Sequence, residues 1–340
     1  MNVLITNNQI ATPTGTEVYV RDLAIALKKR GVGVEVYSPT LGPIADEIGA
    51  WGINVANSTA AIEDLPDIIH AHHFVPTVDA ILRFDDVPVI YFLHDRLHTQ
   101  DDPPRHSQVM KYVAVDYNCL DRLVIDNRIP EEDTAVMYNW VDTEVFKLRE
   151  TFAERPSRAL VFSNNAHAYE GNYFRTVKEA GKAEGLAVEG VGFGLGKSEM
   201  RPQDILGNYD IVFAKAKAAM EAMATGAHVI VCDTIGLGGS VNTENFDHFR
   251  KFNFGMKTLT GAIEKRSIIE EIKKYSVPET QQVARLIRDA APLTRSVDGL
   301  LNLYSETIER YKNEGPRPTG YDRDTIRQHF LLKNFRSGNG

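Results

Sequence analysis

Cysteine is scarce in this 340-residue chain: only Cys119 and Cys232 occur, each inside an apolar run. That excludes a disulfide scaffold and predicts two reduced thiols in the core. Long apolar runs are missing too. None reaches the ~20 residues that a membrane-spanning helix needs. The opening MNVLITNN has no basic segment and soon turns polar. A signal peptide is therefore not expected, and the chain is read as a cytoplasmic protein that starts directly with a strand. Positive charge is not in excess. Lys+Arg number 38 against 46 Asp+Glu, for a formal net charge of −8. Nucleic acid as a partner is excluded on that ground, because phosphates need a basic face. A local patch for peripheral contact with a membrane surface stays open. Three catalytic signatures are also absent: the G-x-S-x-G elbow, the G-x-x-x-x-G-K-[ST] phosphate loop and, after the first strand, the G-x-G-x-x-G fingerprint.

What remains is an ordinary globular composition, 43% hydrophobic and 25% charged, in a chain long enough for two cores. Strand and helix patterns alternate. MNVLIT is a strand and NNQIATPTGTE a loop. A helix follows with Tyr19, Leu23, Ala26 and Leu27 on one stripe, Lys28, Lys29 and Arg30 in its last turn and Gly31 as its stop. VEVYSP completes a strand–helix–strand crossover and implies a parallel sheet. DIIHAHH, PVIYFLHD, RLVIDN and AVMYNWVD continue as strands, with helices expected at 75–84 and 107–119. Residues 147–158 are charged and contain Pro156, and they read as a linker. The resulting domains are 1–148 and 158–296, followed by a helix and tail over 297–340. In the second domain RALVFSNN, LAVEGVGF, YDIVFA and HVIVCD are strands. Helices are expected at 258–274, 279–290, 297–312 and 322–335, and the closing SGNG is expected to be disordered.

Polar residues gather where open α/β sheets bind ligands, past the carboxyl ends of strands. Thr14, Gly15 and Thr16 open the first helix. They either cap an ordinary turn or offer hydroxyls and bare N–H groups to a phosphate. His70, His72 and His73 lie at one strand end, and His94 with Asp95 at the next. Adjacent His72 and His73 point to opposite faces of an extended segment, so metal ligation is not expected. His94 is suited to hydrogen-bond a sugar hydroxyl or a phosphate, with a structural role as the alternative. AKAKAAMEAMATG is a short helix that sets Glu221 among apolar neighbours, with Met220 and Met223 facing inward. Lys215 and Lys217 at its head are either solvated charges or diphosphate ligands. Gly226 stops the helix, and a glycine-rich loop containing Gly238 is expected after HVIVCD. The GVGFGLG run at 190–196 has no helix behind it, because Pro202 intervenes.

Taken in order, these segments resemble the GT-B glycosyltransferases, and within them the retaining type of family 4. TPTGTEVYVRDLAIALKKRGVGVEVYSP is similar to that family's first loop and helix, PDIIHAHH to its "PDVVHAH" strand, VIYFLHD to its strand ending in His–Asp, and VMYNWVDTEVF to its "V-x-N-G-V-D-x-x-x-F" segment. AMEAMATGAHVIVCD is similar to its donor-binding "EAMACGxPVV" unit. The resemblance implies an α/β architecture of two Rossmann-like domains facing a cleft, with the C-terminal helix crossing back to the first. It implies a retaining, metal-independent hexosyltransferase without a cofactor. Such an enzyme moves a sugar from a UDP- or GDP-sugar to a hydroxyl of a glycan or lipid-linked acceptor, as in polysaccharide biosynthesis. His94 is then the catalytic residue near the donor sugar, and Glu221 binds the ribose. Gly15, Thr16, Asn164, Lys215, Lys217 and Gly238 complete the nucleotide-sugar site. Two features depart from the family. Phe213 stands where the first acid of the family's E-x7-E pair belongs. Ser163, Asn164 and Asn165 stand where an Arg and a Lys usually meet the diphosphate, and no lysine follows before Lys178. These departures leave two alternatives: a non-catalytic sugar-nucleotide-binding subunit, or a sugar-nucleotide epimerase on the same fold.

Overall fold

Apolar strands followed by capped amphipathic helices build two α/β units. The computed structural model describes residues 1–318 and 320–337. Of the closing SGNG, for which disorder is expected, Ser337 ends the last helix instead, and residues 338–340 lie outside the described residues. One unit comprises Met1–Tyr138 with Thr294–Gly340, the other Asn139–Leu293.

In the first unit β1 (Asn2–Thr6), α1 (Gly15–Lys29), β2 (Gly33–Tyr37), α2 (Pro43–Gly49), β3 (Asn54–Ala56), β4 (Ile68–His72), α3 (Phe74–Arg83), β5 (Val89–Leu93), β6 (Val109–Ala114), α4 (Tyr117–Asp121) and β7 (Thr134–Val136) follow in order. The seven strands form one parallel sheet, ordered β3-β2-β1-β4-β5-β6-β7. Every residue of β4 and β5 is buried, as strands covered on both faces must be. The order reverses between β1 and β4. The connections that leave their carboxyl ends therefore run to opposite faces of the sheet, which opens the crevice in which such sheets bind ligands. Tyr19, Leu23 and Leu27 of α1 are buried as their stripe predicts.

Two expected elements differ. Residues 107–119, expected to be helical, contain β6. Val109, Met110, Tyr112, Val113 and Ala114 are all buried, so the run has no exposed face and no period to distinguish a helix from a strand. RLVIDN is not a strand. Asp116 caps α4 by accepting from the Cys119 N–H at 2.8 Å, and the helix continues as a π turn over Arg122–Asp126. Arg122 fixes this turn by donating to the carbonyls of Asp95 (2.7 Å) and His98 (2.9 Å).

The second unit contains β8 (Arg158–Phe162), α5 (Tyr173–Ala183), β9 (Ala187–Val191), β10 (Ile211–Ala214), α6 (Ala216–Ala224), β11 (His228–Asp233), β12 (Gly236–Ser240), α7 (Phe246–Lys251), α8 (Lys265–Ile272) and α9 (Val277–Ala290). Its five strands are ordered β12-β11-β10-β8-β9, with only β12 antiparallel. The glycine-rich segment expected as a loop is thus the edge strand β12. A side chain at Gly236 would stand 2.6 Å from the Leu259 carbonyl, and one at Gly238 would stand 2.9 Å from that of Thr258. The segment bearing those carbonyls lies against the strand, and Leu237 and Gly261 exchange backbone hydrogen bonds of 2.9 and 2.8 Å. For the same reason the helix expected over 258–274 shrinks to α8. The chain 147–158, expected as a linker, is tied to this unit: Tyr275 donates to the Ala153 carbonyl at 2.7 Å, and the Arg149 N–H to that of Thr225 at 3.2 Å.

The C-terminal helices α10 (Leu293–Glu314) and α11 (Asp322–Ser337) carry the chain back into the first unit. Leu300, Tyr304 and Tyr311 of α10 are buried. His329 of α11 lies 3.0 Å from the Asp79 carboxylate on α3, which also accepts from Tyr37 at 2.8 Å. No helix among the described residues is long and apolar enough to cross a membrane. Both cysteines are free and buried, and burial pushes the Cys232 thiol up to about 12.

Candidate functional site

Chemistry-bearing residues gather in two places, one in each unit. In the first they stand at the carboxyl ends of β1, β4 and β5. Alternation along β4 turns His70 and His72 to one face, and the register pairs them with Ile90 and Phe92 of β5. His94, two residues beyond Phe92, joins that face, and its Nε2 lies 2.8 Å from His72 Nδ1. The Tyr19 ring meets both imidazoles nearly edge-on, at 5.3 Å from His72 and 4.7 Å from His94. His70 stacks on Phe92 at 4.0 Å, and its Nδ1 lies 2.5 Å from the Tyr304 hydroxyl. Burial pushes the His70 and His72 imidazoles well below their usual range and His94 down to about 3, so all three are neutral near pH 7.

His73 leaves the strand at φ 61°, a conformation strained for a β-carbon, and points away from this group. Its Nδ1 accepts from the Asn8 N–H at 3.1 Å, and its Nε2 lies 3.6 Å from Asp101. The adjacent histidines thus diverge as expected. Burial, then the charge of Asp95, pushes the Asp101 carboxyl up to about 7.

Gly15 begins α1 with its backbone exposed, and nothing stands within 4 Å of where a β-carbon would lie. Packing therefore does not require glycine there. Thr14 and Thr16 both direct their hydroxyls to the Glu17 carboxylate, at 3.2 Å from Thr16. Glu17 is buried. The spacing Thr14-x-x-Glu17 is a capping-box signature and marks this acid in the sequence, although here the hydroxyl meets the carboxylate itself.

In the second unit α6 follows β10 directly. Lys215 sits at its N-cap and Lys217 in its first turn. Ala216 between them has φ 51°, and its N–H donates to the Phe254 carbonyl at 2.9 Å. Phe254 and Asn253 also have positive φ, and the buried Arg250 holds the turn by bonding Asn253 Oδ1 at 3.0 Å and the Asn139 carbonyl at 2.8 Å. Glu221 is buried, so it is not a solvated surface acid, and Lys217 Nζ lies 3.5 Å from its carboxylate. Lys217 also reaches the Trp140 carbonyl at 3.5 Å. Met220 and Met223 are wholly buried beside it.

Lys215 turns the other way. Its Nζ lies 2.9 Å from Asp233, a fully buried acid at the end of β11. Asn165 donates to both Asp233 oxygens at 3.2 Å. Asn164 is exposed, and its Oδ1 accepts from the Phe193 N–H at 3.0 Å, stitching the end of β8 to the GVGFGLG turn. Gly192 in that turn has φ +153°, and a β-carbon on it would stand 2.0 Å from the Ser163 carbonyl. Phe213 lies in β10, wholly buried against Val161 and Ile230, so that position presents no group to a ligand. Gly238 sits within β12 rather than in an open loop. Asp233, Glu17 and Arg250 join the residues expected from the sequence. Among the described residues no group of three or more potential metal ligands converges.

Residues 13–145 match the family model Glycosyltransferase Family 4. No curated protein matches the sequence. Several solved structures share the fold. Alr3699/HepE of Anabaena, in complex with UDP and glucose, aligns at 15% identity over 90% of this chain and 99% of its own, with a TM-score of 0.66. A glycosyltransferase from Rickettsia africae ESF-5 aligns at 11% identity over 90% and 98%, with a TM-score of 0.63. A UDP-N-acetylglucosamine 2-epimerase aligns at 12% identity over 93% and 98%, with a TM-score of 0.51.

Proposed function

We propose that this chain is a glycosyltransferase, a reading supported by its match to the family 4 model over residues 13–145 and by its fold, and that it moves a sugar from a nucleoside-diphosphate sugar to an acceptor hydroxyl with retention of configuration. The observation that carries the reading is the head of α6, where a buried Glu221 and two lysines meet a helix N-terminus at the end of a parallel strand. A carboxylate there suits the two ribose hydroxyls. A lysine and the positive end of the α6 dipole suit the diphosphate, whose charge grows as it leaves. UDP-sugars are the first donors to test, because Alr3699/HepE was solved with UDP-glucose, and GDP-sugars are the second. The acceptor is a glycan or a lipid-linked precursor; the second choice would bring the protein to a membrane surface. His94, neutral and at the end of β5, is the catalytic residue of this reading, and Gly15 and Thr16 let a phosphate or acceptor approach the start of α1. No metal is assigned a role, and Lys217 with the α6 head takes the charge that a cation would otherwise balance.

The test is turnover of UDP- and GDP-sugars with candidate acceptors, followed by nucleoside diphosphate release and by the anomeric configuration of the product. Glu221→Ala should weaken nucleotide binding at least tenfold; unchanged affinity removes it from the site. Binding without transfer to any acceptor would favour the non-catalytic reading, which the burial of Phe213 supports. A changed sugar without an acceptor would indicate epimerisation.

A further inference from the structure

We propose that His72 is a positioning residue that holds His94 in the neutral tautomer protonated at Nδ1, so that, under the preceding reading, His94 offers substrate at the end of β5 a hydrogen-bond donor.

The argument is a count of protons. His72 Nδ1 and His94 Nε2 are 2.8 Å apart, so one hydrogen lies between them. Two neutral imidazoles carry two N–H groups, and the second must sit on an outer nitrogen, either His72 Nε2 or His94 Nδ1. His72 Nε2 is buried and has no hydrogen-bond partner among the described residues. An N–H there would be an orphaned buried donor, a rarer and costlier arrangement than a bare lone pair. His94 is only partly buried, and its Nδ1 is not among the buried unpartnered atoms. The proton therefore belongs on His94 Nδ1, and the hydrogen between the rings belongs to His72.

The surroundings keep this choice from relaxing. Tyr19 packs edge-on against both rings, at interplanar angles of 81° and 76°. His70, 4.6 Å from His72 between ring centroids, spends its Nδ1 on Tyr304 at 2.5 Å and makes no hydrogen bond to His72. Depressed basicity at His70, His72 and His94 keeps a second proton off the pair. The consequence is chemical. His94 has no free lone pair toward a ligand and does not act as a base through Nδ1. It donates to an oxygen of the substrate.

The test is long-range 1H–15N spectroscopy of the full chain labelled at histidine, read for which nitrogen of His94 bears hydrogen. The expected result is N–H at Nδ1 and a bare Nε2 in the wild type, without substrate. His72→Asn, whose amide N–H reproduces the Nδ1 donor, should keep that pattern and most of the turnover. His72→Leu removes the donor to His94 Nε2, so His94 should lose its fixed preference for N–H at Nδ1 and kcat should fall roughly tenfold, with KM nearly unchanged. A wild-type spectrum with the His94 proton on Nε2 overturns the proposal. So does a His72→Asn protein that folds but shows the His94 proton on Nε2. If no sugar nucleotide is turned over, the functional reading fails, and the wild-type spectrum still decides the tautomer.

Discussion

Lys215→Met isolates one charge in the second unit. Its Nζ lies 2.9 Å from Asp233, a carboxylate with no exposed surface. Removing one partner of a buried pair typically costs ~3–5 kcal/mol, because the other charge is left without compensation. Two facts reduce that figure here. The lysine side chain is 30% exposed, so solvent already screens it. Asp233 also keeps the Asn165 amide at 3.2 Å, the Thr234 N–H at 2.6 Å and the Thr234 hydroxyl at 3.1 Å. The expected loss is therefore about 2 kcal/mol, or roughly 4–8 °C in Tm for a unit of this size. Asp233→Asn in the same background removes the stranded charge, and the double variant should recover at least half of the loss. Urea unfolding can be followed in this unit alone. Only two tryptophans occur, and Trp140 is buried there while Trp51 is 46% exposed in the first unit, so a Trp51→Phe background leaves a single reporter. A Lys215→Met protein within 0.5 kcal/mol of its parent, or a double variant no more stable than the single one, would refute the reasoning.

Asp101, raised to about 7 from an ordinary 3.8, favours its protonated form in the fold. The folded state then binds more protons than the unfolded one, and stability falls as pH rises through that window, by at most ~4 kcal/mol. Asp101→Asn should remove that fall. The difference in urea unfolding between variant and parent at pH 4 and pH 8 isolates it from the opposite slope of the buried histidines, and an identical slope in both proteins contradicts it. Gly192→Ala should cost at least ~2 kcal/mol, since φ is +153° and the added carbon would stand 2.0 Å from the Ser163 carbonyl; thermal melts checked against Gly207→Ala, which meets nothing within 4 Å, would expose an error as equal Tm values. Gly15→Ala should leave Tm unchanged or slightly raised while lowering kcat/KM for the sugar nucleotide at least tenfold, and full activity would take Gly15 out of the site.

The opening strand–helix–strand unit was legible because its helix is announced by its loop, whereas the later helices of the first half carry weaker signals. Thr14 stands at the N-cap of α1, and Gly31 follows its last turn with φ +75°. The expected elements that changed owe their state to partners distant in sequence. β6 is buried along almost its whole length, which removes the periodicity that identifies an element. β12 is a strand because the 258–261 segment presses carbonyls onto Gly236 and Gly238. Glycine density alone predicts the opposite, a loop. The site divides in the same way. His94, Lys215, Lys217 and Glu221 are legible as strand-end and helix-head positions. Asp233 ends the strand HVIVCD, so the rule that singles out His94 also applies to it. Tyr304 could not be identified, because it stands 234 residues from His70 on a helix whose stripe reads only as packing.

The two departures from the family pattern have one physical account. An acid at 213 would stand in β10 between Val212 and Ala214, fully enclosed, where no ionised group is stable without a partner. Phenylalanine fills that volume and joins the core. The position of the usual diphosphate-binding cations is likewise occupied by neutral amides, and one of them, Asn165, serves Asp233. Asp233 in turn holds Lys215 at 2.9 Å, so Lys215 is not free to meet an anion at full charge. Positive potential at this edge also comes from Lys217, 3.5 Å from Glu221, from Arg250 and from the N-terminus of α6. Under the proposed function this moves leaving-group stabilisation from the end of β8 to the head of α6. Glu221 then has two tasks: it meets the ribose and it orients Lys217. Any measurement on Glu221 reports both at once, which is why nucleotide affinity, rather than turnover, is the reading that bears on its role.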